Sequence, residues 1–357
     1  MDFDALLARD PYGMPREEKR ELFTRRLGEL TAFHGAHCPP YEKWLVALGC
    51  DRHPFHAPEE IPMLPVSVFK ERTLRSIPEE AVFKTITSSG TTGQRVSRID
   101  LDKETAARQQ KVLSHIVAHF IGPRRIPLLV IDSPEVLRNR AMFSARGAGV
   151  LGFSMFGSKL VYALNKDMEL DVEAVLDFQN RWGQGPVLLF GFTFMIWQHF
   201  IQALERNGIQ LALHQGTLIH GGGWKKLLHQ AVDRDTFQAR VKAATGVQNV
   251  CDYYGMAEQT GCIYMECPMG HLHASIWSDI VVRRPSDYGV CPPGEEGVLE
   301  VLSLLPGSYP GHALLTEDMG ILLGEDDCPC GRLGKYFRIT GRVPKAEVRG
   351  CSDTYDG

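Results

Sequence analysis

Seven hydroxyl or glycine residues stand in a row at positions 87–93, within the stretch KTITSSGTTGQRVSRID. Glycine frees the backbone and each hydroxyl offers a hydrogen-bond donor, so a loop of this composition suits the anionic oxygens of a phosphate. It is not a Walker A motif, because Gly90 and Gly93 stand too close together and no Gly-Lys-Ser/Thr sequence closes the loop. For this stretch taken alone, a solvated surface turn is the alternative.

Four further polar motifs follow the loop along the chain. They are a triple glycine at 221–223, YGMAE at 254–258, TEDMG at 316–320 and TGR at 340–342. The YGMAE motif comes at the end of a predicted strand, where open α/β sheets usually bind ligands. Acidic, basic and aromatic side chains of this kind can contact a metal ion, a phosphate and a base.

A separate set of residues could bind a metal ion. The segments ECPMGHLH and DDCPCGR contain Cys267, Cys328 and Cys330 together with two histidines. Thiolate and imidazole groups are the ligands of structural zinc, and three cysteines with one histidine complete a tetrahedral site. We take His273 as the fourth ligand, with little to separate it from His271. Buried thiols without a metal are the alternative.

The composition indicates a globular protein. The chain has 357 residues, of which 44% are hydrophobic, enough for a substantial core. Its formal net charge is −4, with both signs interleaved, so no field of one sign would recruit nucleic acid or an anionic membrane. Nucleic acid is therefore excluded as an expected partner.

Nothing in the sequence directs export or membrane insertion. The N-terminal stretch MDFDALLARDPYG is acidic where a signal peptide is basic. The most apolar run, residues 185–197, is shorter than the roughly 20 residues that cross a bilayer. The nine cysteines are expected to be reduced thiols, which fits a cytoplasmic location.

The elements that must position these motifs alternate between helix and strand. Residues 15–48 are predicted to be helical, and residues 61–78 to form an extended connector. From residue 112 to 255 apolar strands alternate with helical stretches, which predicts an α/β fold with helices covering a sheet. From about residue 280 short strands with glycine and proline turns, such as GVLEVLSLL, indicate a smaller β-rich region.

The order of the motifs TSSGTTG, GGG, YGMAE, TEDMG and TGR resembles the adenylate-forming superfamily. Within it, CPPYEKWL, IPMLPVSVFK, HGGGWKK and RGCSDTY look like the acyl-protein synthetase family, the fatty acid–protein ligases that feed bacterial luciferase systems. The likeness covers nearly the whole chain. It implies a core domain at 1–340, with a helical N-terminal segment at 1–60 and a β-rich part from about 280. A short tail at 341–357 is expected in place of the superfamily's mobile C-terminal domain.

This resemblance implies an ATP- and Mg²⁺-dependent ligase that activates a carboxylic acid as its adenylate. Glu258 should help to hold Mg²⁺, Tyr254 should stack on adenine, and Asp318 should accept hydrogen bonds from the ribose. Taken singly, each of these residues has a structural alternative. The implied nucleotide-binding residues are Ser88, Ser89, Gly90, Thr91, Thr92, Gly93, Gly221, Gly222, Gly223, Tyr254, Gly255, Met256, Asp318 and Arg342.

The chain also departs from the superfamily pattern. Arg95 stands near the position of the usual phosphate-loop lysine, and Ala257 replaces a hydroxyl residue. The acidic hinge residues are replaced by a segment that contains Lys345, which is a candidate catalytic lysine. Cys351 in RGCSDTY is the expected nucleophile that receives the acyl group, with an accidental terminal cysteine as the alternative.

Two other functions stay open at this point. A CoA ligase, such as one of the phenylacetate–CoA ligase type, would share the first half-reaction, and an inactive acyl- or nucleotide-binding subunit would have no reaction. The expected partners are the carboxylic acid and an acyl reductase, acyltransferase or carrier protein. The sequence does not decide the acyl chain length or the oligomeric state.

Overall fold

The computed structural model describes residues 1–50, 54–88, 96–138, 145–224 and 230–343. These residues divide into two compact units. The described part of the first unit comprises residues 1–50, 54–88, 96–116 and 255–343, and that of the second unit comprises 117–138, 145–224 and 230–254. The chain therefore returns to the first unit after the second is complete.

The strands are numbered along the chain. They are β1 (Leu64–Pro65), β2 (Lys84–Thr87), β3 (Arg98–Leu101), β4 (Ile126–Ile131), β5 (Gly157–Tyr162), β6 (Val187–Phe192), β7 (Gly216–Gly221), β8 (Asn249–Tyr254), β9 (Tyr264–Glu266), β10 (Leu272–His273), β11 (Ser278–Arg283), β12 (Glu296–Ser303), β13 (Ala313–Glu325) and β14 (Lys335–Arg342).

The helices are numbered in the same way, and 3-10 turns at Pro58–Glu60, Glu79–Ala81 and Ala257–Gln259 accompany them. A π-helical segment at Ile196–Ile201 joins α9 to α10. The helices are α1 (Phe3–Leu7), α2 (Arg16–His37), α3 (Pro39–Ala47), α4 (Val68–Glu71), α5 (Lys103–Ile121), α6 (Glu135–Arg138), α7 (Ala145–Ser154), α8 (Val172–Trp182), α9 (Thr193–Met195), α10 (Gln202–Arg206) and α11 (Arg234–Thr245).

The second unit contains a parallel sheet with the strand order β8–β7–β6–β4–β5. All residues of β6 and β7 are buried, as expected for parallel strands that are covered on both faces. Asp171 and Asp233 cap α8 and α11 by accepting hydrogen bonds from the amides of Ala174 (3.0 Å) and Thr236 (2.8 Å). The predicted alternation of helices and strands over this region is confirmed.

The first unit contains an antiparallel sheet with the strand order β11–β12–β13–β14–β10–β9. The short strand β1 pairs in parallel with β13, and β2 pairs with β3 in a separate hairpin. The short strands begin at Tyr264, earlier than the residue 280 at which the sequence pattern changes. The predicted division at residues 340 and 341 stays a prediction, because residues 344–357 lie outside the described residues.

Two local predictions need correction. The helix predicted at 15–48 is divided into α2 and α3, because the pair Pro39-Pro40 occupies the first turn of α3, where proline lacks the amide that would continue α2. The connector predicted as extended contains the one-turn helix α4, in which Phe69 is buried. Burial of this ring outweighs the extended preference of the flanking valines.

A buried histidine pair joins the N-terminal helices to the loops after β12. The rings of His34 and His312 stack with centroids 5.3 Å apart. His34 Nε2 donates to the carbonyl of Pro306 (3.1 Å), and His312 Nε2 lies 2.9 Å from the hydroxyl oxygen of Thr31. Burial lowers the pKa of His34 to about 4, so this side chain is neutral at pH 7.

Candidate functional site

The predicted phosphate loop begins at the end of β2. The Ser88 amide donates to the carbonyl of Ser97 (3.1 Å), and the Ser97 amide donates to the Ser88 hydroxyl (2.9 Å). The two residues thus extend the β2–β3 hairpin towards the loop. Ser89, Gly90, Thr91, Thr92, Gly93 and Arg95 lie outside the described residues.

In the second unit, Gly221 and Tyr254 occupy the carboxyl ends of neighbouring parallel strands. Gly221 ends β7 and is paired in register with Tyr253 of β8. Gly222 has a φ of +85°, and a Cβ there would lie 2.5 Å from Cδ1 of Phe192. Only glycine fits both conditions, so its backbone can pass directly over the ring. This edge of a parallel sheet is where ligands bind in open α/β folds.

A small polar cluster lies at the same edge of the second unit. The Thr193 hydroxyl lies 3.0 Å from His220 Nδ1 and 3.2 Å from the Gly221 carbonyl oxygen. Asp252 Oδ1 lies 3.7 Å from the same histidine nitrogen. Burial lowers the pKa of His220 to about 3, so the imidazole is neutral, and its ring packs against Phe237.

In the first unit, Glu258 lies in the 3-10 turn that follows β8 and is fully buried, with 0% of its surface exposed. Within the described residues, neither of its carboxylate oxygens has a hydrogen-bond partner. A buried carboxylate without partners is costly, and a divalent cation is the ligand that compensates such a charge. Glu258, the predicted Mg²⁺ ligand, is therefore suited to bind a divalent cation.

Hydrogen bonds to strand β12, to the loop before β13 and from the Tyr309 side chain hold the turn that carries Glu258. The Gln259 side chain donates to the carbonyls of Val301 (3.0 Å) and Gly311 (2.8 Å). The Tyr309 hydroxyl donates to the main-chain carbonyl of Glu258 (2.8 Å) and accepts from Nε2 of Gln109 (3.2 Å). Gln109, Gln259 and Tyr309 were not predicted from the sequence. Gln259 directly follows the YGMAE motif, and a turn-forming Pro-Gly pair follows Tyr309, but neither signal indicates these hydrogen bonds.

Met256 precedes this turn and Gly255 follows β8. Met256 has an extended backbone, and its carbonyl accepts from the amide of Gln259 (3.3 Å). These two residues therefore connect the strand that carries Tyr254 to the turn that carries Glu258. Their predicted nucleotide contacts stay predictions.

Asp318 and Arg342 are cross-strand partners on β13 and β14 of the first unit. Arg342 Nε lies 3.5 Å from Asp318 Oδ1, and its Nη2 donates to Glu317 Oε2 (2.7 Å). All three side chains are partly exposed. The fold thus brings together two residues that are 24 positions apart and were both predicted to contact the nucleotide.

The predicted metal ligands also meet in the first unit. One ligand atom from each of Cys267, His273, Cys328 and Cys330 lies within 4.8 Å of the others. The sulfurs of Cys267 and Cys328 are 4.0 Å apart, and Cys330 Sγ is 3.4 Å from His273 Nε2. Around a tetrahedral zinc these distances would be about 3.8 and 3.5 Å. The donor set and its spacing fit zinc.

The neighbouring His271 lies beside this group. Its Nδ1 is 3.4 Å from Cys328 Sγ, and its ring stacks on Tyr336 at 4.9 Å. Burial raises the pKa of Cys328 to about 12 and lowers the pKa of His273 to about 3. These shifts describe the metal-free protein, because a coordinated thiol is deprotonated by its cation.

The remaining predicted site residues are Lys345, Cys351 and Gly223. Lys345 and Cys351 lie outside the described residues, so their predicted roles stay predictions. Gly223 follows Gly222 with a φ of +61°.

Among the described helices, none is long and apolar enough to cross a membrane.

Comparison with protein families identifies one match that spans the chain. The family described as acyl-protein synthetase, LuxE, matches residues 2–356. Over 356 residues the sequence is 23% identical to the long-chain-fatty-acid–luciferin-component ligase of Vibrio harveyi, covering 98% of this chain and 91% of that protein. The ligase of the same name from Aliivibrio fischeri is 23% identical over 368 residues, covering 98% and 92%.

Among solved structures, an open conformation of 2-hydroxyisobutyryl-CoA ligase in complex with 2-HIB-AMP and CoA is similar. It matches with a TM-score of 0.69 at 17% identity, covering 95% of this chain and 79% of that chain. The chain therefore shares the fold of that ligase, and the predicted α/β fold is confirmed.

Proposed function

The chain belongs to the LuxE acyl-protein synthetase family, and on that premise we propose that it is an ATP-dependent ligase for a fatty acid. The ligase activates the acid as an acyl-adenylate and passes the acyl group to a protein cysteine. The names of both bacterial relatives, long-chain-fatty-acid–luciferin-component ligases, support this substrate class.

The observation that carries the proposal is the buried carboxylate of Glu258. This residue stands in the YGMAE motif, is fully buried and has no hydrogen-bond partner for its carboxylate within the described residues. A cation-binding carboxylate at this motif is what the adenylation step requires, since ATP is used as its Mg²⁺ complex. When bound, Mg²⁺ would neutralise charge on the phosphate oxygens.

The reaction proceeds in two displacements. A substrate carboxylate oxygen attacks the α-phosphorus of ATP, and the bond from that phosphorus to the bridging oxygen breaks, so that pyrophosphate leaves. A cysteine thiolate then attacks the acyl carbon of the mixed anhydride, the acyl carbon–oxygen bond breaks and AMP leaves. We assign the thiolate to Cys351 and a supporting positive charge to Lys345.

The remaining site residues are proposed to bind the nucleotide. The glycine-hydroxyl loop from Ser88 to Gly93 holds the phosphates by its amides and hydroxyls. Gly221, Gly222 and Gly223 line the adenine slot and Tyr254 stacks on adenine, while Asp318 accepts from the ribose hydroxyls. The pairing of Asp318 with Arg342 supports a shared role, since an arginine at this distance keeps the carboxylate oriented.

The test of this function is isotope exchange. We expect purified protein to exchange labelled pyrophosphate into ATP only when Mg²⁺ and a suitable carboxylic acid are both present. Saturated acids of increasing length, aromatic acids and 2-hydroxy acids form the panel, which reports the preferred acyl group. Exchange that does not depend on added acid contradicts the proposal. Absence of exchange with every acid of the panel also contradicts it and favours an inactive binding subunit.

The proposed protein partners are inferred from the thioester product. An enzyme-bound thioester must be handed to another protein, and we propose an acyl reductase of the luciferase system, with an acyltransferase or a carrier protein as the alternatives. Transfer to CoA with no protein-bound intermediate would instead indicate a CoA ligase.

We also propose a structural zinc ion bound by Cys267, His273, Cys328 and Cys330. Four protein ligands leave no open position for substrate, so the ion acts on stability. It would tie the segment after β9 and strand β10 to the loop between β13 and β14. His271, whose Nδ1 lies 3.4 Å from Cys328 Sγ, is the alternative nitrogen ligand.

Metal analysis tests this site. Protein purified without added metal is expected to contain about one zinc per chain, and the double variant Cys328→Ser, Cys330→Ser is expected to contain none. Its melting temperature should fall by about 10 °C or more, because structural zinc contributes directly to folding. The control is Cys291→Ser, a buried thiol of the same unit outside the cluster, which should keep the zinc. If chelation leaves the melting temperature of wild-type protein unchanged, the proposed structural zinc site is contradicted.

A further inference from the structure

The orientation of the Glu258 carboxylate depends on its backbone. Within the described residues no hydrogen bond reaches either carboxylate oxygen. In the described part of the chain, the side chain is therefore aimed by the 3-10 turn Ala257–Gln259 and by packing around it. A small rotation of that turn would move the carboxylate away from any cation that it binds.

Tyr309 holds the main chain of this residue directly. Its hydroxyl donates to the carbonyl oxygen of Glu258 at 2.8 Å, and the ring is completely buried. Burial raises the pKa of Tyr309 well above its usual value, so the hydroxyl keeps its proton and stays a donor. The ring packs edge-on against Phe69 at 6.0 Å, which fixes its position.

Gln109 sets the direction of this hydrogen bond. Its Nε2 donates to the Tyr309 oxygen at 3.2 Å, and the residue is only 2% exposed on helix α5. Because the tyrosine oxygen accepts from Gln109, its own proton is directed to Glu258. The three residues form one chain of hydrogen bonds that runs from α5 to the turn.

The backbone after Tyr309 packs closely against the Tyr309 ring and the carbonyl of Glu258. A Cβ at Gly311 would lie 2.2 Å from the Tyr309 ring and 3.0 Å from the carbonyl oxygen of Glu258. The loop from 309 to 311 therefore lies directly against both groups. Its Gly311 carbonyl also accepts from the Gln259 side chain at 2.8 Å, so the turn is fixed from two sides.

We propose that Tyr309, directed by Gln109, is a positioning residue that aims the carboxylate of Glu258 at the catalytic metal ion. The inference rests on the proposed function only in taking that ion to be the Mg²⁺ of MgATP. Tyr309 itself touches neither the metal nor the substrate. Its contribution should therefore appear in metal affinity and not in the rate at saturating metal.

The test removes the hydroxyl oxygen of Tyr309. We expect Tyr309→Phe to bind Mn²⁺, measured by electron paramagnetic resonance with a non-hydrolysable ATP analogue present, about tenfold more weakly than the wild type. Acid-dependent pyrophosphate exchange should need about tenfold more Mg²⁺ and should recover to near the wild-type rate when Mg²⁺ is saturating. Gln109→Leu should shift both quantities in the same direction, and the double variant should be no worse than Tyr309→Phe.

A matched control separates positioning from stability. Tyr264 is also buried in the first unit, and its hydroxyl donates to the carbonyl of Asp279 at 3.0 Å. Tyr264→Phe should lower the melting temperature about as much as Tyr309→Phe while leaving Mn²⁺ affinity unchanged.

Wild-type Mn²⁺ affinity in Tyr309→Phe, or an equal loss in Tyr264→Phe, overturns the inference. The inference also fails if wild-type protein binds no Mn²⁺. If Tyr309→Phe does not fold, Gln109→Leu decides by the same two measurements. A wild type that binds Mn²⁺ but exchanges no pyrophosphate refutes the proposed function, whereas the inference still stands on the Mn²⁺ affinities of the variants.

Discussion

Glu258→Gln protein is expected to exchange pyrophosphate into ATP at least about 100-fold more slowly than the wild type. The substitution keeps the size of the side chain and removes its charge, so the metal loses an anionic ligand. Melting of the metal-free protein should not be lowered, because the wild-type carboxylate is buried without partners among the described residues and its charge is costly there. Exchange and thermal unfolding, measured on the same preparations, give both results.

A second buried glutamate of the first unit serves as the control. Glu300 is also 0% exposed, but its carboxylate accepts from Arg283 Nε at 2.6 Å. Glu300→Gln should lower the melting temperature, since it weakens a buried ion pair, and should leave exchange intact. The two variants therefore have opposite expected effects. Near-normal pyrophosphate exchange by Glu258→Gln would contradict the role of Glu258 as a metal ligand. Loss of exchange in both Glu258→Gln and Glu300→Gln would also contradict it.

Cys351→Ser protein is expected to keep pyrophosphate exchange within about threefold of the wild type and to lose the acyl label on the protein. Adenylation does not use the thiol, whereas transfer does, so the substitution separates the two half-reactions. In the sequence, Lys345 and Arg349 stand within six positions of Cys351, and positive charges beside a thiol favour its thiolate form. The measurement uses radioactive fatty acid with ATP, followed by gel analysis with and without hydroxylamine.

Cys50 provides the comparison for this variant, because it is a partly exposed free thiol outside the metal cluster. Cys50→Ser should carry the same hydroxylamine-sensitive label as the wild type. A labelled thioester that persists in Cys351→Ser would show that another residue accepts the acyl group. Efficient transfer by the wild type to CoA, without labelled protein, would favour the CoA ligase alternative.

The sequence predicts those features that depend on local pattern or on ligand chemistry. The apolar stretches that alternate with helical ones predicted the strands of a helix-covered sheet, and β6 is buried at every residue. The cysteines at 267, 328 and 330 were grouped with His273 because their donor types suit one ion, although the two segments are about 60 residues apart. The motif order predicted Glu258, Asp318 and Arg342 as neighbours of one ligand.

Long-range contacts between neutral polar residues could not be predicted in this way. Gln109 and Tyr309 are 200 positions apart, and neither residue type nor spacing marks them as a pair. Only the packed loop after β12 brings the tyrosine to the turn of Glu258. The break at Pro39 and the one-turn helix α4 were missed because the apolar pattern continues through both.

The path of the chain through the first unit has a consequence for synthesis on the ribosome. Helix α2 packs on residues that follow β12, as the bond from His34 to Pro306 shows, and these partners are 272 positions apart. Ribosomes add about 5–20 residues per second, so Pro306 is synthesised roughly 14 to 54 s after His34. The hydrogen bond between them cannot form earlier. The strands of the second unit are all complete by residue 254. The middle of the polypeptide can therefore assemble its parallel sheet while the apolar side chains of the emerged N-terminal helices still await their partners.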